Sequence, residues 1–367
     1  MERLVTISPR GNPPYPVWVG RNAIRHLVEI IPETAARVVW IADDTVARLH
    51  GDALQQILQK SRPTLGFTFA AGEMNKTRAS KENLEDQLLA AGVGRDTVIV
   101  AMGGGVSTDL GGFVASTFLR GVPWVAVPTS LLGAVDASVG GKVGVNTPAG
   151  KNLIGAFSQP LAVTIDLDLL TTLPAEQVDN GLGEMVKHAV IADANHLGEL
   201  MTQSDSLRAL DPNATFAPIV RSVEIKADVV NNDPTEQDLR QVLNLGHTIA
   251  HAFELLSDYQ LSHGRAVAAG LSVEAGIAER LGLLSSKELD TIRAALVALK
   301  LPAIVPIQAT TQGVLAATRG DKKSRRGRAR YALPAGIGIM ARGPEGYGHD
   351  VEDTIVVAVL EELGCSA

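Results

Sequence analysis

The sequence predicts an α/β N-terminal domain with a parallel, Rossmann-like sheet, followed by a mainly α-helical C-terminal domain. Three observations carry this expectation. Short apolar, β-branched runs alternate with helical patterns through the first half of the chain. Glycine-rich turns follow strands in that half, and beyond Leu170 the β-branched runs thin out while longer helical patterns take over. The boundary is placed there, giving one domain over residues 1–170 and a second over residues 171–367.

Arg37 to Ala42 reads as a buried strand leading through Asp43-Asp44-Thr45 into a helix. Thr97 to Met102 reads as a second strand and Trp124 to Val127 as a third. Continuous apolar runs separated by helices are what a parallel sheet covered on both faces requires. Met102 is followed by Gly103-Gly104-Gly105-Val106-Ser107-Thr108-Asp109, a strand running through a glycine turn into a helix. Such a turn lets backbone N–H groups approach a phosphate at the positive end of the helix dipole. It lacks the G-x-G-x-x-G fingerprint of dinucleotide-binding turns, and a tight structural turn is the competing reading. A second loop sets Asp136 and Lys142 among glycines and leads on to Gly150-Lys151-Asn152. Lysines and an asparagine so placed suit an anionic substrate or a cofactor phosphate, although each alone reads equally well as a surface group. In the second half, Pro218 to Val230, Leu239 to Leu256 and Arg265 to Leu281 carry helical patterns.

Composition narrows the class. The chain has 367 residues, 46% of them hydrophobic and 20% charged, which describes an ordinary globular protein long enough for two cores. The net charge of −7 and the brevity of the basic cluster Lys322-Lys323-Ser324-Arg325-Arg326 argue against a nucleic-acid partner. With Cys365 as its one cysteine the chain forms no internal disulfide, which fits a reducing cytoplasm. No signal peptide precedes the first residues and no apolar run reaches spanning length, so a cytoplasmic enzyme without a membrane partner is expected.

Histidine is scarce, with 8 in 367 residues, yet three fall in the stretches Leu243-Asn244-Leu245-Gly246-His247-Thr248-Ile249-Ala250-His251 and Leu261-Ser262-His263-Gly264. A helix places His247 and His251 on one face, and a following turn or helix can fold His263 back to them. Neutral imidazoles converging with a carboxylate suit a divalent metal, usually zinc. Three unrelated histidines is the competing reading. Gly181-Leu182-Gly183-Glu184-Met185-Val186-Lys187-His188 puts Glu184 and Lys187 on one helix face. By itself that pair reads as a surface ion pair; it gains interest because the histidine cluster lacks a carboxylate. Spacing leaves His247, His251 and His263 all as candidate ligands. Upstream, after Lys226 and Asp233, the residues Glu236, Arg240, Asn244, His247 and His251 recur at helical spacing. A polar stripe of this kind is costly to turn inward unless it serves a site.

With these motifs assembled, the chain resembles the 3-dehydroquinate synthases, within the sugar phosphate cyclase group. The glycine triplet, Leu119-Arg120-Gly121, Val127-Pro128-Thr129 and the run from Asp136 to Asn152 carry the closest match. Gly181 to Lys187, Lys226 to His251, His263-Gly264 and Asp321-Lys322-Lys323 extend it over nearly the whole chain. The resemblance implies conversion of 3-deoxy-D-arabino-heptulosonate 7-phosphate to 3-dehydroquinate with phosphate release, a step of the shikimate pathway to aromatic amino acids. It implies NAD, which is regenerated in each cycle, and a divalent metal, Zn2+ or Co2+.

By that resemblance Glu184, His247 and His263 are the metal ligands, and His251 is a substrate-side group. Asp43, Glu73, Lys76, Gly104, Gly105, Val106, Asp109, Thr129, Ser130, Lys151 and Thr172 match positions that hold NAD. Lys142, Lys187, Asn152, Asp136 and His251 match the catalytic pocket, with Lys226, Glu236, Arg240, Asn244 and Lys323 on the substrate. Arg120 matches the residue that reaches the phosphate of a neighbouring subunit in the family's homodimer. Four positions depart from the usual pattern. Arg265 stands in place of Glu after His-Gly, Thr108 in place of Gly, Ser130 in place of Thr and Gln177 in place of Glu. Other readings are a different sugar phosphate cyclase, such as an aminodehydroquinate or epi-valiolone synthase, a metal-dependent polyol dehydrogenase that releases NADH, and a non-catalytic scaffold that binds no metal.

Overall fold

The computed structural model describes residues 1–319 and 329–367, and the chain divides into two compact units. The first comprises Met1–Pro174 with Thr215–Pro234, the second Ala175–Ala214 with Thr235–Ala367.

The first unit is built on nine strands: β1 (Glu2–Ile7), β2 (Tyr15–Gly20), β3 (Arg37–Asp43), β4 (Thr64–Phe69), β5 (Thr97–Gly103), β6 (Trp124–Pro128), β7 (Lys142–Thr147), β8 (Gly150–Phe157) and β9 (Ala162–Asp166). Seven of them form a sheet in the order β1-β2-β9-β6-β5-β3-β4. All neighbours run parallel except β1, which pairs antiparallel with β2 at the edge. The three strands expected from the apolar runs are β3, β5 and β6. Every residue of β5 is buried, as a central parallel strand covered on both faces demands. Helices α1 (Asp44–Leu58), α2 (Arg78–Ala90) and α3 (Gly105–Thr117) follow β3, β4 and β5. Val38, Ala42, Leu54, Leu58, Val100, Met102 and Val127 belong to one core cluster. Burying each of the larger side chains contributes about 1.5–3 kcal/mol. From β3 the chain steps outward to β4, and from β5 it steps the other way to β6. The carboxyl ends of β3 and β5 therefore form a topological switch point, the usual ligand position in an open parallel sheet.

The chain next forms α4 (Ala175–Ala192) in the second unit and later α5 (Pro212–Asn232), whose residues from Thr215 onward belong to the first. Asn231 ties that return in place: its side chain accepts from Ser8 N at 2.6 Å and its carbonyl from Arg10 N at 3.3 Å. A single cut at 170/171 leaves this return out, because helical periodicity reports a helix and not the unit against which it packs.

The second unit is mainly helical. It contains α4, α6 (His247–Leu256), α7 (His263–Arg280) and the helices Ser286–Ala298, Thr311–Arg319 and Asp353–Glu362. The helix expected over Leu239 to Leu256 is broken. A 3-10 turn covers Leu239–Asn244, then Gly246 adopts φ 80°, and α6 begins at His247. Packing against α7 imposes the break: a Cβ on Gly246 would lie 2.9 Å from Leu271 N and Val267 O. The stripe from Glu236 to His251 is therefore not one continuous helix face. Among the described residues, no helix is long and apolar enough to cross a membrane.

Candidate functional site

In the second unit, His247 and His263 are each the first residue of a helix, α6 and α7, and Glu184 lies midway along the buried α4. Two glycines let these helices meet. A Cβ on Gly183 would stand 2.3 Å from Gly264 O, and one on Gly264 would stand 2.3 Å from Asn180 Cα. Asn180 Oδ1 accepts from Gly264 N at 2.8 Å and holds the crossing.

The result is a convergent donor set. Glu184 Oε1 stands 3.5 Å from His247 Nε2 and 3.4 Å from His263 Nε2. One ligand atom from each of these three residues lies within 4.8 Å of the others. His247 Nδ1 faces Leu245 O at 3.2 Å, and His263 Nδ1 faces Glu254 Oε1 at 3.3 Å. Carbonyl and carboxylate oxygens only accept, so at both contacts the proton sits on Nδ1 and Nε2 is turned toward Glu184. Two imidazole nitrogens and a carboxylate aimed at one point fit a tetrahedral divalent metal with an open position. Burial alone would lower the His263 pKa, but the charges and hydrogen bonds of Glu254 and Glu184 push it up to about 10.

Lys187 pairs with the second oxygen of Glu184, and the two side chains are 2% and 0% exposed. What reads in sequence as a surface ion pair is a buried one. The His251 ring meets that of His247 edge-on with 5.7 Å between centroids. Asn244 Nδ2 donates to Glu236 Oε1 at 2.8 Å, and Arg240 is buried. Arg265 donates to Asp179 Oδ2 at 2.9 Å, while Arg208 donates to Asp179 Oδ1 at 2.7 Å. The arginine that departs from the family pattern thus clamps α7 to α4. Gln177, another departure, accepts from Asn180 Nδ2 at 2.9 Å.

Sequence reasoning passed over two carboxylates of this unit. Glu274 is buried on α7 and accepts from Gly246 N at 2.7 Å and Ile249 N at 3.4 Å, so a charged group caps α6 where His247 sits. Nothing in the local sequence marks it. Glu254 is buried on the same helix face as His247 and His251, and that spacing is a usable signal.

In the first unit, the glycine turn joins β5 to α3 at the switch point. Gly103 adopts φ 147° and a Cβ there would fall 2.3 Å from Ser107 Oγ. Ser107 Oγ donates to Asp43 Oδ2 at 3.0 Å, and Asp43 Oδ1 caps α1 through Thr45 N and Val46 N at 3.0 and 2.9 Å. Asp43, Gly104, Gly105 and Val106 are thereby gathered at one turn. Gly104, the N-cap of α3, has no side chain with which to cap the first-turn N–H groups. Thr129 N donates to Gly103 O at 2.9 Å, and Ser130 Oγ accepts from Gly133 N at 3.0 Å. Thr108 Oγ1 bonds back to Gly104 O at 3.2 Å, so this departure is absorbed within its own helix.

A second network in this unit surrounds buried Lys76, which pairs with Asp109 and donates to Asn152 Oδ1 at 2.6 Å. Burial pushes the Asp109 carboxyl above its ordinary range against the pull of Lys76. Asn146 accepts from Asn152 N at 2.9 Å and donates to Glu73 Oε1 at 2.7 Å, tying the hairpin β7–β8 to the turn that carries Glu73 and Lys76. Asp136 sits on a π-helical turn, Gly133–Ala137, and takes Lys226 of α5 at 2.7 Å. Thr172 Oγ1 lies 3.0 Å from His50 Nε2. Lys151 is half-buried, Lys142 is exposed at the start of β7, and Arg120 is exposed with φ 71°. Lys323 lies outside the described residues.

The model of the 3-dehydroquinate synthase N-terminal domain matches residues 66–180, and that of the C-terminal domain matches residues 181–324. A 3-dehydroquinate synthase of Syntrophotalea carbinolica is 40% identical over 332 residues, 89% of this chain and 91% of the relative. Among solved structures, 2-deoxy-scyllo-inosose synthase complexed with carbaglucose-6-phosphate, NAD+ and Co2+ superposes with a TM-score of 0.90 at 25% identity, covering 98% of this chain and 100% of that one. The 2-epi-5-epi-valiolone synthase of Streptomyces hygroscopicus with NAD+ and Zn2+ bound gives 0.87 at 30% identity, covering 97% and 98%. Two family models that together match residues 66–324, and a relative alike over nearly its full length, lead to one conclusion: the chain belongs to the 3-dehydroquinate synthase family.

Proposed function

We propose that this chain is a phosphate-eliminating lyase that converts 3-deoxy-D-arabino-heptulosonate 7-phosphate to 3-dehydroquinate, acting as a cytoplasmic homodimer. The donor set of Glu184, His247 and His263 beside buried Lys187 carries the reading. Structural neighbours hold NAD+ with Co2+ or Zn2+, which supports the same pair of cofactors here. The first unit takes NAD on the turn formed by Asp43, Gly104, Gly105 and Val106, with Glu73, Lys76, Asp109, Thr129, Ser130, Lys151 and Thr172 around it.

When bound, the metal supplies Lewis-acid polarisation of a substrate oxygen, and NAD supplies a reversible hydride acceptor. The chain's own residues do the rest. Lys187 keeps a cation beside Glu184, which offsets negative charge on the substrate. Arg240 and Asn244, with Lys226 and Lys323, are the polar and cationic partners that a substrate carboxylate requires. Lys142, Asn152 and Asp136 orient the substrate, Glu236 fixes the Asn244 amide, and Arg120 reaches the phosphate of a partner protomer's substrate. His251, whose ring meets that of His247 edge-on, serves as the proton-transfer group on the substrate side.

The test is an assay of several sugar phosphates for phosphate release, with and without a chelator, while NADH absorbance is followed. Release from the heptulosonate phosphate that disappears with chelator, without net NADH, is the expected outcome. Stoichiometric NADH points instead to a polyol dehydrogenase. Preference for a sugar phosphate lacking a carboxylate points to another cyclase.

A further inference from the structure

We infer that Glu254 is a positioning residue for the metal centre, holding the His263 ring so that its Nε2 faces Glu184. This rests on the reading of Glu184, His247 and His263 as metal ligands and adds a residue to it.

The geometry is specific. Glu254 lies on α6 seven residues after His247 and three after His251, on the same helix face. Its side chain is 2% exposed, and Oε1 stands 3.3 Å from His263 Nδ1. Burying a carboxylate is expensive unless it meets a proton donor or a cation. Here the imidazole N–H is that donor, and the contact selects one tautomer, with hydrogen on Nδ1. The opposite edge of the ring, Nε2, then lies 3.4 Å from Glu184 Oε1. His247 reaches the same orientation by a different route, through Leu245 O at 3.2 Å. The two rings thus rest on unlike supports: a main-chain carbonyl close in sequence for His247, and a charged side chain from the neighbouring helix for His263. A histidine ligand held at its second nitrogen by a carboxylate is better oriented and more basic, and removing such a partner typically costs about 10–100-fold in metal affinity.

Two variants of the full chain test this against Co2+ alone, read by chelator competition and by the visible d–d spectrum. Glu254→Met fills the same space but offers no acceptor, whereas Glu254→Gln keeps an acceptor oxygen. The expected result is Co2+ binding weakened about 10–100-fold in Glu254→Met with an altered spectrum. Glu254→Gln should stay within a few-fold of wild type, and NAD affinity should be unchanged in both. Variants that bind Co2+ alike, whether as wild type or equally weakly, overturn the role of the acceptor at Nδ1. A wild-type chain that binds no Co2+ overturns the metal centre itself, a failure distinguishable from the first because it precedes any substitution.

Discussion

Gly183 and Gly264 pass each other so closely that a Cβ on Gly183 would stand 2.3 Å from the Gly264 carbonyl oxygen. Their chain neighbours are Glu184 and His263, so this crossing sets how near the carboxylate comes to the imidazole. Gly264→Ala places a methyl 2.3 Å from Asn180 Cα and 2.4 Å from Asn180 O, where only backbone can yield. Overpacking of this kind costs about 1–3 kcal/mol. The expected variant melts at lower temperature and binds Co2+ more weakly. Unchanged melting and unchanged binding together would show that the helices are free to part.

His263→Ala removes one of three ligands. Metal content of the purified variant should fall to background, while NAD affinity stays near that of wild type because the glycine turn lies in the other unit. Retained stoichiometric metal with full turnover would count against the whole ligand assignment.

Lys76→Met leaves the largely buried Asp109 carboxylate, 16% exposed, without its ammonium partner. Breaking a buried pair from one side typically costs about 3–5 kcal/mol. The urea midpoint should fall and NAD affinity should weaken, since Lys76 also holds Asn152 on the hairpin. Adding Asp109→Asn should restore much of the stability, because an amide is cheaper to bury than an unpaired charge. No recovery in the double variant would refute the pairing as the source of the loss.

In protein stripped of metal, His263 titrates at about 10 in the folded chain against an ordinary value of 6.5. The folded state therefore favours the protonated ring. The stabilisation it brings is fully present below about pH 6.5 and is lost as pH rises through about 10. Urea midpoints of chelator-treated protein should decline across that window, and His263→Ala should flatten the decline. An identical slope in the variant would assign the pH dependence to other groups.

Much of this architecture is legible in the sequence. The runs at β3, β5 and β6 are apolar throughout because a strand covered on both faces has no wet side to encode. The glycine triplet marks its turn because Gly103 takes a backbone angle that other residues avoid. The buried pair Glu184 and Lys187 and the three histidines could each be named from spacing and resemblance. The sequence did not disclose that Gly246 breaks the expected helix, that Thr215–Pro234 returns to the first unit, or that Glu254 and Glu274 support the histidine-bearing helices. Periodicity records which face of an element is apolar, a property of neighbouring residues. Which distant acid meets an imidazole, and where two helices touch closely enough to exclude a methyl group, is decided by packing between elements far apart in the chain.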